Sequence, residues 1–185
     1  MRKSTIRSKL LFPTLLLLPL VGYAESAEER CIREVFGDFC LGGSMNNQLT
    51  KRAIQREPQQ WGERSGVIYS VDRDKIYVMA FKGTIYKVLR TYEPATQVAF
   101  KDFKRRLQGK YGKSVDQSQY PTYVRSTAGK IGAIRRGEAT ALHVWQLEGE
   151  PWRVELGWSR KLGISVAYLV NSLDLQQQME VDKGL

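Results

Sequence analysis

Apolar and polar residues alternate at period two through Val67–Val71, Lys75–Phe81 and Ile85–Tyr92, predicting three short strands joined by Asp72-Arg73-Asp74 and Lys82-Gly83. With Val71 opposite Lys75 and Phe81 opposite Thr84, the pleat sorts the side chains into two faces. One is aliphatic: Ile68, Ile76, Val78, Ala80, Ile85 and Leu89. The other gathers Val67, Tyr69, Tyr77, Met79, Phe81, Tyr86 and Val88, whose three phenols a dry core would have to satisfy one by one. The aliphatic face is therefore expected in the core. Tyr69, Tyr77, Tyr86 and Phe81 become the candidate partner-binding residues on a free aromatic face.

Phe100, Phe103, Leu107 and Tyr111 recur at the helical period after Glu93-Pro94, and Gly112 stops the helix they define. Their stripe is the expected cover for the aliphatic strand face, at about 25 cal/mol per square ångström of apolar area removed from water. Upstream, a helix is expected from about Ala27 to Phe36, ended by Gly37. Ser44 is the expected N-cap of a second helix that carries Met45, Leu49 and Ala53 on one stripe and ends by Glu57. Gly42-Gly43 lacks the Lys-Ser/Thr and the preceding strand of a phosphate loop, so it is assigned to a turn. Periodicity is lost from Lys113 to Glu138, which predicts a long basic loop with room for one short strand near Ile131–Ile134.

Strands return at Thr140–Leu147, Trp152–Trp158 and Ile164–Val170. In the middle one Trp152, Val154, Leu156 and Trp158 share a face opposite Arg153, Glu155 and Gly157, and Trp145, Leu147, Val166 and Tyr168 should join the tryptophans. A last helix from about Ser172 to Val181, capped by Asn171 or Ser172, offers only Leu173 and Leu175 for docking. The fold class these elements predict is α+β, an antiparallel sheet of two three-stranded meanders with helices packed on one face.

The amino terminus changes the picture by assigning a compartment. Basic Arg2, Lys3, Arg7 and Lys9, an apolar run Leu10–Val21, and small Gly22 and Ala24 have the order of a secretory signal over residues 1–24, with cleavage near Ala24. Residues 25–185 then form a single domain, periplasmic or secreted. Export places the two cysteines in an oxidising compartment, where Cys31–Cys40 is the one intramolecular disulfide available. An unbroken helix would hold residues nine apart about 13 Å from each other, so the chain has to reverse between them, and Gly37 is the natural place.

Charge adds a second candidate surface. The chain carries 29 basic and 19 acidic residues; without the four basic residues of the leader the balance is 25 to 19, or +6. Between Lys101 and Arg136 stand ten basic and two acidic residues, a local +8. Lys101, Lys104, Arg105, Lys110, Arg135 and Arg136 are accordingly the candidate anionic-partner-binding residues, facing lipid headgroups, polysaccharide or an acidic protein surface. Export and the lack of a recognised module argue against nucleic acid.

Catalytic and metal chemistry find little footing. His143 is the single histidine, which excludes multi-histidine metal sites, and beside Trp145 in a strand it reads as structural. Glu148 and Glu150 flank a hairpin loop, where nothing raises the pKa of one of them as an acid pair would require. No catalytic residue, metal site or cofactor is assigned.

Phe36-Gly37, then Cys40-Leu41-Gly42-Gly43-Ser44 opening a helix, then a strand meander and a helix ending in Lys110-Tyr111-Gly112-Lys113, resembles a group of small secreted bacterial proteins. Its layout is similar to the beta-lactamase inhibitory protein and to the small lipoprotein subunit of the outer-membrane β-barrel assembly machinery. The resemblance implies helices laid on an antiparallel sheet whose free face meets a protein partner. It carries over no functional residue, and the acylated cysteine of the lipoprotein subunit is missing. The function expected from the sequence is an exported, non-enzymatic periplasmic binding or adaptor protein that docks an envelope or periplasmic protein through the aromatic face. The alternative is an envelope-surface binder of anionic lipid or polysaccharide through residues 101–136.

Overall fold

The computed structural model describes residues 31–51 and 57–183, leaving aside the side chains of 50, 51 and 183. The leader at 1–24, residues 27–30 of the expected first helix and residues 52–56 of the second lie outside the described residues.

Among the described residues ten strands and four helices follow in the order β1 (Arg33–Val35), β2 (Phe39–Leu41), α1 (Met45–Lys51), β3 (Gln59–Trp61), β4 (Arg64–Val71), β5 (Asp74–Phe81), β6 (Thr84–Tyr92), α2 (Gln97–Tyr111), β7 (Val115–Asp116), α3 (Thr127–Arg136), β8 (Ala141–Gln146), β9 (Trp152–Ser159), β10 (Gly163–Val170) and α4 (Asn171–Lys183). The expectation of two three-stranded meanders is overturned. Strand β6 pairs antiparallel with β10, so one eight-stranded sheet runs β3-β4-β5-β6-β10-β9-β8-β7, and β1-β2 is a separate hairpin. The helices do not lie on one face either, because α4 packs on the face opposite the core through Arg153, a neighbour in β9 of the core residues Trp152 and Val154.

Two local events reset which side chains face the core. The β4–β5 turn is one residue tighter than expected: Val71 pairs with Asp74 instead of Lys75, and a slip of one residue exchanges the two faces of a strand. At the next turn Lys82 and Gly83 both have positive φ, as a two-residue hairpin of the favoured twist requires, and Phe81 does pair with Thr84. A bulge follows between Met79 and Ala80, Tyr86 being the extra residue, so Met79 opposes Lys87 and Val78 opposes Val88. The core face is Val67, Tyr69, Ile76, Val78, Ala80, Ile85 and Val88, while Ile68, Tyr77, Met79 and Leu89 point outward.

The expected helix ending at Phe36 is a strand where it is described. Phe36 and Gly37 take positive φ, and the hairpin brings Cys31 and Cys40 into a disulfide with Cα atoms 5.3 Å apart. The segment after β2 docks on the rim of the sheet: Gly42 N–H donates to Ile85 O, Ile85 N–H to Gly43 O and Met45 N–H to Gly83 O, at 2.8–2.9 Å. The stretch expected as a loop at 113–138 carries two regular elements, and the strand expected near Ile131–Ile134 is part of a helix. Short β7 pairs with β8, and α3 is a helix with Ser126 as N-cap, accepting from Gly129 N–H, and left-handed Gly137 as its stop. Helix α2 begins at the cap Thr96 and sends Phe100 and Leu107 into the core, where Phe100 meets Trp158 at 5.6 Å between ring centres. Trp145 Nε1 donates to Gly112 O at 2.9 Å and ties the end of α2 to β8.

Candidate functional site

The four aromatic residues expected on a free face are not presented together. Tyr69 is only 3% exposed; its ring meets Phe39 edge-on at 5.2 Å and its hydroxyl donates to Gln48 O. Tyr86 and Phe81 are 7% and 2% exposed. Burial, followed by the Asp174 carboxylate of α4, pushes the Tyr86 phenol above its usual pKa, so α4 stands over this residue. Tyr77 alone of the four keeps a half-buried ring on the outer face.

The basic segment is likewise divided. Asp102 pairs with Arg105 and, at 2.7 Å, with Arg106. Arg136 donates to Glu138 from Nε and Nη2, and Tyr123 OH donates to the same carboxylate. Arg136 first, then Tyr123, hold the Glu138 pKa down at about 2. Lys110 lies over the Tyr111 ring at 5.2 Å. Lys101, Lys104 and Arg135 have no ion pair among the described residues, yet they are spread over α2 and the end of α3 and line none of the four cavities described for this fold.

Convergence of charge occurs elsewhere, at one end of the outer face. The β4–β5 turn brings Arg73 and Lys75, and the β9–β10 turn brings Arg160 and Lys161, to a cleft of about 230 Å³ that Tyr77, Thr91, Glu93, Leu162 and Gly163 complete. Hydrogen bonds hold Lys75, Arg160 and the turn that carries Lys161. Thr91 Oγ1 accepts from Lys75 N–H at 3.2 Å, Leu162 N–H donates to Ser159 Oγ at 3.2 Å, and Arg160 Nη1 donates to Arg136 O at 3.0 Å. Among the described residues no carboxylate lies within ion-pair distance of any of the four cations, although ion pairs are plentiful elsewhere: Arg90–Asp74 at 2.7 Å, Arg153–Asp174 at 2.7 Å and Lys87–Glu155 at 3.7 Å. Unpaired cations gathered in a concave site repel one another unless an anion joins them. Each of these residues stands in the sequence as an ordinary turn or strand-end residue. Nothing local signals that Arg73 and Arg160 line one cleft, because the β6–β10 pairing is what unites them.

His143 is buried, 5% exposed, with its ring 5.9 Å from that of Phe100 and Nδ1 3.5 Å from Ser114 Oγ. Burial, then Lys104, lower its pKa, Asp116 opposing, so the ring is neutral at pH 7. It lines none of the four cavities. Glu150 accepts from Trp152 Nε1 at 2.7 Å, a structural use of that carboxylate. Among the described residues no group of His, Cys, Asp and Glu has the arrangement of a metal site, and no helix is long and apolar enough to cross a membrane.

Comparison with known proteins gives no family. No family model matches the chain, and no curated protein matches it. A cysteine-rich secretory protein from Staphylococcus aureus is similar to it in structure, with a TM-score of 0.42 and 10% identity over 71% of this chain. The chain spans 45% of the length of that protein. The Cys31–Cys40 disulfide is compatible with export.

Proposed function

We propose that this is an exported, non-enzymatic binding protein, released into the periplasm or the medium after cleavage near Ala24, whose ligand is an anionic component of the cell envelope. The observation that carries this reading is the cleft in which Arg73, Lys75, Arg160 and Lys161 converge without a carboxylate partner among the described residues. Four cations against the single carboxylate of Glu93, beside a phenol and a threonine hydroxyl, suit a phosphate or carboxylate group, and hydrogen bonds to ionised groups are the stronger ones. Docking of a partner protein on an aromatic face has lost three of its four anchors to burial, and Tyr77 remains as a wall of the cleft. The non-enzymatic part is supported by the packing of His143 against Phe100, away from this cleft.

Co-sedimentation with vesicles containing an anionic phospholipid tests the proposal. Binding that weakens with added salt is expected. Arg73→Gln with Lys161→Gln should weaken it at least about 10-fold, two charge-assisted contacts being removed, whereas Lys101→Gln with Lys110→Gln should change it little. The reverse pattern would move the site to α2, and binding unaffected by either pair would reject an electrostatic ligand.

A further inference from the structure

A second, apolar hollow lies on the same sheet face as the cationic cleft. Tyr77 lines both. The second hollow, about 250 Å³, is walled by Trp61, Gly66, Ile68, Tyr77 and Met79, with Glu57 and Gln59 also lining it. Gly66 opens it: a Cβ at this position would stand 3.4 Å from the Trp61 indole, so any larger residue would fill the space beneath that ring. Trp61 itself is 53% exposed, a large apolar surface left in water.

Order along one strand fixes the polarity of the site. Lys75, Tyr77 and Met79 are alternate residues of β5 on the outer face, so the cationic and apolar ends lie about 13 Å apart at about 3.3 Å per residue. Four cations and one carboxylate, Glu93, line one end, which keeps a net positive charge, and Glu57 lines the other. An anion is attracted to the first and repelled from the second, and an apolar chain gains only in the second.

We propose that the ligand is a monomeric, single-chain anionic amphiphile: its phosphate or carboxylate head sits among Arg73, Lys75, Arg160 and Lys161, and its chain runs past Tyr77 into the hollow between Trp61, Ile68 and Met79. This rests on the anion-binding reading above. A hollow of this volume is small beside ordinary small-molecule pockets, and it takes one chain segment. The span of about 13 Å accommodates a linear chain of roughly ten bonds, carbon–carbon bonds being about 1.5 Å long and each advancing about 1.25 Å along the chain.

Titration of the full exported protein with inorganic phosphate and with butyl, octyl and dodecyl phosphates, each held monomeric, tests this. Resonances of 73, 75, 160 and 161 and the fluorescence of Trp61, assigned by its loss in Trp61→Phe, are the readouts. Affinity should rise with chain length, by about 4-fold for each methylene that becomes fully buried. Inorganic phosphate should compete at the head site. Ile68→Glu, on a half-buried outward position, should abolish the chain-length dependence while phosphate still binds.

If inorganic phosphate perturbs the four cations and chain length changes nothing, the amphiphile is excluded and the anion site stands. If the protein binds anionic vesicles but no monomeric alkyl phosphate, the ligand is a membrane surface and the inference fails. If nothing perturbs the four cations, the anion site falls, and this inference falls with it.

Discussion

Tyr69 and Tyr77 sit on neighbouring strands and on opposite sides of the sheet, and their substitutions should separate accordingly. Tyr69→Ala removes a buried ring packed on Phe39 and a hydrogen bond to Gln48, and should cost about 3–4 kcal/mol. Tyr77→Ala, on the half-buried outer face, should cost under about 1 kcal/mol. Urea unfolding measures both, and equal losses would contradict the side assignment. A second residue-level expectation concerns His143, whose pKa is lowered from 6.5 chiefly by burial. The folded protein resists protonating this ring, whereas the unfolded chain takes up the proton near pH 6.5. The contribution of the neutral ring is therefore intact above about pH 6.5 and is lost as the pH falls below it, through the folded value. His143→Gln should flatten the change in urea midpoint between about pH 7.5 and about pH 5.5; an unaltered change in the variant would contradict this. At this scale the sequence showed which residue types mattered but not where they pointed. A turn one residue tighter moved Tyr69 inward and Ile68 outward, an extra residue at Tyr86 moved Val88 inward and Leu89 outward, and neither event has a signature in residue pattern alone.

Among the elements, the final helix shows how little apolar surface docking needs when a buried ion pair supplies the contact. Asp174 is buried and receives Arg153 Nη2 at 2.7 Å, while Arg153 also reaches Asn171 and Glu155. Asp174→Ala leaves that guanidinium against the sheet without its main partner. The expected loss is about 2–3 kcal/mol, below the full value for a buried pair because Arg153 is 21% exposed. Amide exchange over 171–183 should rise in the variant, and unchanged protection would show that α4 docks by other means. The β1–β2 hairpin depends on its disulfide in a comparable way. Cys31→Ser with Cys40→Ser should lower stability by about 2.5–3 kcal/mol for a loop of this size, measured by denaturant unfolding with the oxidised protein as reference. Element by element, legibility followed the strength of the periodic signal. The Phe100–Tyr111 stripe and the strand runs were readable. In α3, Gly129 and Gly132 hid the helical pattern, although Ser126 and Gly137 carried its start and stop. The β1 segment is three residues paired with three others, too short to show a period of its own.

For the molecule as a whole, the decisive pairing is β6 with β10, which joins strands about 80 residues apart and makes one sheet of eight. The β4–β6 and β8–β10 halves share a single core cluster, so they should unfold in one transition, with fluorescence and circular dichroism coincident. Separate midpoints would contradict a continuous core. The same pairing sets the β4–β5 turn beside the β9–β10 turn and creates the cationic cleft. No local pattern in the sequence foretells this juxtaposition, and the basic count over 101–136 picks out residues that line none of the four cavities. A backbone amide shift titration with inorganic phosphate, at low ionic strength, tests the central claim most directly. The account predicts shifts confined to residues 73–77, 91–93 and 160–163; shifts centred on 101–110 and 135–136, or none at saturating phosphate, would contradict it.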